Sequence, residues 1–78
     1  MKRTNKSYMR EFEEKYKSLE KIDSQWYENE LGVKAFIKSS NCKRKDGTYT
    51  EEWYRARFVY MITKSGMYNK ENLCIELS

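Results

Sequence analysis

Apolar positions along this chain fall into segments of different period. From Ser7 to about Ile22, Tyr8, Phe12, Tyr16 or Lys15, Leu19 and Ile22 recur every three or four residues, while Arg10, Glu11, Glu13, Glu14, Lys17 and Glu20 take the other side. This spacing predicts an amphipathic helix, with Ser7 as its N-cap. In SQWYENELG, Ser24 stands where a cap belongs and Gly32 where a left-handed residue ends a helix. A short helix carrying Trp26, Tyr27 and Leu31 is expected there. VKAFIK, residues 33–38, is too short for its period to decide between a strand and a further helical turn.

The next segment, SSNCKRKDGTYT, is polar and has Asp46-Gly47 as a turn signal, so it reads as a loop. Thr48 stands three residues before Glu51, the spacing of a capping box, with Thr50 as the alternative N-cap. The helix that follows, EEWYRARFVYMITKSG, places Tyr54, Phe58, Met61 and Ile62 on one stripe, and Trp53 and Tyr60 widen it. Trp53, Tyr54, Phe58 and Met61 are the expected packing residues. Arg57 falls inside the widened arc and is expected to snorkel, whereas Arg55 lies at its border. Gly66 is the expected left-handed stop, with Met67 as its hydrophobic companion. LCIEL then alternates Leu73, Ile75 and Leu77 against Cys74 and Glu76, the period of a half-buried strand. A strand needs a partner, which VKAFIK or a second chain would supply. The pattern as a whole predicts a small α+β domain, mostly helical with one or two strands.

Composition limits what such a fold can do. With 78 residues the chain forms one domain, 1–78, and its core is thin. A mean hydropathy of -1.06 would argue against packing, but 15% of the residues are aromatic and supply large amphipathic area. Sixteen Lys and Arg against twelve Asp and Glu give a net charge of +4, which favours a polyanionic partner. Lys43, Arg44 and Lys45 concentrate part of that charge in the loop, where they are candidate phosphate contacts.

The chemistry available is narrow. There is no His to serve as a base, no glycine-rich phosphate loop, and only two cysteines, Cys42 and Cys74. A closed zinc site needs four ligands, so none is expected from this chain alone, and the cysteines are expected to be reduced. Glu51 and Glu52 lie in a first helical turn, where carboxylates favour the helix dipole. No apolar run reaches membrane-spanning length and no signal peptide is evident, so a cytoplasmic protein without a membrane partner is expected.

The run from Glu51 to Ser78 resembles the N-terminal element of the nuclease domain of type I restriction enzyme R subunits and related restriction-modification proteins. The matching positions are Glu51, Glu52, Trp53, Arg55, Phe58, Tyr60, Ile62, Tyr68, Glu71, Ile75 and Glu76. The resemblance implies the N-terminal portion of a larger restriction-endonuclease-like domain, in which Mg²⁺-dependent DNA cleavage is run by later strands. It also implies DNA as a partner, together with the rest of the nuclease domain or other restriction-modification subunits. The family's Pro-Asp and acidic-x-Lys motifs come after the strand that LCIEL resembles; no acidic-x-Lys follows it here, and the chain contains no proline. No cofactor is therefore expected in this chain, which is expected to be inactive alone. Glu76 is the one catalytic candidate, as a strand-end carboxylate, and Arg55 joins the loop cations as a nucleic-acid contact that would hold Glu76 or a phosphate. The alternatives are a non-catalytic basic module that binds nucleic acid or a partner protein, and a scaffold whose strand pairs in a dimer.

Overall fold

The computed structural model describes residues 4–67 and, as backbone, 74–76. Helix α1 spans Asn5–Lys15, strand β1 Lys21–Ile22, and helix α2 Ser24–Trp26, which runs on into a π-helical turn, Tyr27–Leu31. Strands β2 (Lys34–Phe36) and β3 (Ser40–Asn41) follow, then helix α3 (Glu51–Lys64) and strand β4 (Cys74–Glu76). The result is a small α+β domain.

The first helix starts and stops earlier than its period suggests. Thr4, rather than Ser7, is the N-cap, its hydroxyl accepting from the Ser7 N–H at 3.1 Å. At Tyr16 the chain leaves the helix, so Ile22 is buried from a strand and not from a helical face. Ile22 lies opposite Ser40 in the antiparallel β1–β3 ribbon, and that pairing overrides the helical spacing of Leu19 and Ile22.

Asp23 caps α2 in place of Ser24, accepting from the Trp26 N–H at 2.8 Å. Ser24 ties the helix to the strand that follows. Its hydroxyl donates to the Ile37 carbonyl and accepts from the Ile37 N–H, both at 3.0 Å. Gly32 ends the π turn at φ 66°, the left-handed geometry expected of it. VKAFIK resolves as a strand with Val33 and Ala35 buried and Lys34 and Phe36 exposed. Its partner comes from within the chain: β2 runs parallel to β4, with Ala35 opposite Ile75 and Phe36 opposite Glu76. Parallel strands need a long crossover, and α3 lies in it.

The core is aromatic. Phe12 is fully buried, with the rings of Tyr16, Trp53 and Tyr60 at 4.9, 5.1 and 5.6 Å. Ile22, Tyr27, Leu31, Val33, Ala35, Cys42, Ala56 and Val59 complete the same cluster. Helix α3 is turned relative to the expected stripe. Trp53, Ala56, Val59, Tyr60, Met61 and Ile62 are buried, while Tyr54 and Phe58 are 46% and 54% exposed. Ala56 accounts for the rotation: a small side chain between Trp53 and Tyr60 lets α1 pack on that side, with Phe12 against both rings. Tyr60 fixes the seam by donating its hydroxyl to Glu11 Oε1 at 2.8 Å. No helix among the described residues is long and apolar enough to cross a membrane.

Candidate nucleic-acid interface

The basic loop is a small hairpin. Lys43 and Tyr49 form an antiparallel bridge, and the Arg44 N–H donates to the Thr48 carbonyl at 2.7 Å. Asp46 sets the turn by accepting from the Thr48 hydroxyl at 2.6 Å and from its N–H at 3.0 Å. Those two bonds hold the Asp46 carboxyl below its ordinary pKa. Gly47 completes the turn at φ 89°, which a side chain would strain.

This architecture separates the three loop cations. Arg44 is committed to the hairpin, since its Nη1 donates to the Tyr49 carbonyl at 2.7 Å and to the Thr48 hydroxyl at 3.3 Å. Lys43 stands over the Tyr49 ring, its Nζ 5.5 Å from the centroid, and Lys45 is exposed in the turn. Lys43 and Lys45 are thus exposed on the loop, with Arg44 as its brace.

Tyr49 connects the hairpin to α3. Its ring stacks on Trp53 at 3.8 Å and 14°, meets Tyr54 edge-on at 6.4 Å, and its hydroxyl donates to the Lys17 carbonyl at 3.4 Å. Trp53, buried beneath, donates its indole N–H to the Tyr16 carbonyl at 3.5 Å. Outside it, the Arg57 guanidinium lies 4.9 Å from the centre of the Tyr54 ring. Two adjacent rings, Tyr49 and Tyr54, therefore each carry a cation, Lys43 and Arg57, with the exposed Phe58 one turn beyond Tyr54 on α3. Cations over aromatic faces attract the ring quadrupole and keep the rings oriented.

Both arginines of α3 pair with carboxylates. Arg55 is held by Glu52, Nη1 to Oε1 at 3.0 Å, within one turn of the same helix. Arg57, expected to snorkel, reaches across the helix pair to Glu13 at 3.2 Å. No family model, curated protein or solved structure matches this chain.

Glu76 lies on β4 opposite Phe36, and its side chain falls outside the described residues. Tyr68, Glu71 and Leu73 also lie outside them. Among the described residues no three Cys, Asp or Glu side chains converge as a metal site. Tyr49 and Arg57 are the residues of the candidate interface that the sequence pattern did not single out as contacts. Tyr49 sits inside a polar loop with no periodicity, and its role appears only once the hairpin folds it onto Trp53.

Proposed function

We propose that this chain is a small, non-catalytic, basic module of restriction-modification machinery that binds nucleic acid, DNA first. The observation that carries this reading is the group Lys43, Tyr49, Tyr54 and Arg57, in which the half-buried Tyr49, stacked on Trp53, and the exposed Tyr54 lie side by side with a cation at each. Cations that neutralise phosphates and aromatic faces on which bases stack are the two elements of sequence-tolerant nucleic-acid binding. Lys43 and Lys45 supply phosphate contacts, and Arg44 positions them. Arg55 and Arg57 are each engaged through one Nη1, by Glu52 and Glu13, and contribute phosphate contacts through their other guanidinium N–H groups.

The restriction-modification part rests on the resemblance and on the order of elements: an aromatic and arginine-bearing helix, α3, followed by β4 joining a sheet. In that reading the chain is the N-terminal part of a restriction-endonuclease-like domain, Glu76 is its strand-end carboxylate, and the remaining nuclease elements are its partners. The 78-residue chain is then inactive alone. Incubation with supercoiled plasmid and Mg²⁺ should give no nicking, and nicking abolished by Glu76→Ala would overturn the non-catalytic assignment.

Fluorescence anisotropy with a labelled DNA oligonucleotide tests the binding itself. Replacing Lys43 and Lys45 together by Ala should weaken binding about tenfold or more at low salt. An unchanged affinity would remove the hairpin from the interface.

A further inference from the structure

Beside the hairpin lies an open groove of about 450 Å³, lined by Ser18, Leu19, Glu20, Lys21, Asn41 and Lys43. Strand register explains its lining. Lys21 is paired with Asn41 in the antiparallel β1–β3 ribbon, and directly opposed residues project to the same face. Asn41 and Lys43 flank Cys42, and residues two apart on extended backbone also share a face. Burial follows this parity: Lys21, Asn41 and Lys43 are exposed, whereas Ile22 and Cys42 are fully buried on the other side.

Two lysines and an asparagine thus line one side of the ribbon, with Ser18 beside them. Neither lysine is ion-paired to a described carboxylate: the pairs in this region join Lys17 to Glu14, Arg55 to Glu52 and Arg57 to Glu13. Glu20 is the one acidic group of the lining, and its backbone carbonyl accepts from the Cys42 N–H at 2.7 Å. Two lysines against one glutamate leave the groove cationic.

We propose that this groove is a phosphate-binding subsite, in which Lys21 and Lys43 supply charge while the Asn41 amide and the Ser18 hydroxyl supply directed donors. The subsite rests on the nucleic-acid reading above and extends it. Lys43 belongs both to the groove and to the Tyr49 face, so a phosphate held here stands next to the aromatic run. An internal phosphodiester and a terminal phosphate monoester present the same oxyanion chemistry.

The test is anisotropy of the full chain with single-stranded DNA oligonucleotides carrying either a 5′-phosphate or a 5′-hydroxyl. Lys21→Ala should weaken binding about tenfold, the scale of a lost hydrogen bond to a charged group, and Lys21→Arg should restore most of it. Lys34→Ala makes the same change in net charge on an exposed residue outside the groove, and should cost less than twofold. Asn41→Ala, which changes no charge and leaves intact the Thr50 hydroxyl bond to the Asn41 carbonyl, should cost about threefold or more. A preference for the 5′-phosphate would assign the site to a terminal monoester, and equal binding to an internal diester. If Lys21→Ala and Lys34→Ala cost the same and Asn41→Ala costs nothing, the subsite is wrong while the binding function stands. If neither oligonucleotide binds, the function itself falls.

Discussion

Arg57 of α3 and Glu13 of α1 meet at 3.2 Å across the helix seam, and the same guanidinium covers the Tyr54 ring at 4.9 Å. The two side chains are 28% and 43% exposed, so solvent screens the pair and its worth is a fraction of 1 kcal/mol up to about 1 kcal/mol. The cation–π contact adds roughly 0.5–1 kcal/mol. Arg57→Ala should therefore cost about 1–2 kcal/mol in urea unfolding, and Arg57→Lys an intermediate amount, because an ammonium cannot lie flat on the ring. An unchanged midpoint for Arg57→Ala would remove both contacts from the account.

Trp53 and Phe58 should separate sharply under truncation. Trp53 is 1% exposed at the centre of the aromatic cluster, and Trp53→Ala should cost about 3–5 kcal/mol, much of what a domain of this size has in reserve. Phe58 is 54% exposed, and Phe58→Ala should shift stability by less than about 0.5 kcal/mol. The comparison decides which face of α3 is core. Equal losses would restore the stripe drawn from periodicity alone.

That reversal shows what the sequence carries and what it leaves out. The existence of α3, its stop at Gly66, the Asp46-Gly47 turn and the Gly32 cap are all legible, because each depends on local chemistry that one or two residues decide. The rotation of α3 is not. A wheel drawn from large apolar residues gives Tyr54 and Phe58 more weight than Ala56, yet the small residue is what admits α1. The β1–β3 pairing was equally hidden, since these strands are two residues each and carry no period of their own, whereas the β2–β4 pairing was one of the two partners the pattern offered. Of the candidate interface, Lys43, Arg44 and Lys45 were visible as a charge run. That Arg44 braces the hairpin, and that Tyr49 lies on Trp53, depend on three-dimensional contacts no linear pattern contains.

Tyr27 offers a test with the opposite sign. Its ring is fully buried, and its hydroxyl has no hydrogen-bond partner among the described residues. A buried hydroxyl without a partner costs about 1–3 kcal/mol, so Tyr27→Phe should leave stability unchanged or raise it by about 1 kcal/mol. A loss of more than that on urea unfolding would show that the hydroxyl is satisfied after all.

Alkali should unfold the domain through its buried acids. Burial pushes the Cys42 thiol up from its ordinary value of 9.0 to about 11. Burial, then the Glu30 carboxylate, pushes Tyr16 up from 10.0 to about 12. Both folded values are raised, so the stability linked to these groups is fully present below their ordinary values and is lost as pH rises through about 11 and 12. Circular dichroism against pH should therefore hold level near neutrality and fall across that alkaline range. At neutral pH a thiol reagent should modify Cys42 only on unfolding. Rapid modification of Cys42 in the folded protein would contradict its burial.

The central claim, that the hairpin and α3 form a nucleic-acid surface, is tested most directly by the salt dependence of DNA binding. Affinity for a DNA oligonucleotide, measured by anisotropy from low to moderate salt, should fall linearly on a double-logarithmic plot. Replacing Lys43 and Lys45 together by Ala should lower the slope by roughly 1–2, while replacing Tyr54 by Ala should lower affinity and leave the slope unchanged. Binding that is absent at low salt, or that neither salt nor these substitutions alter, would contradict the account.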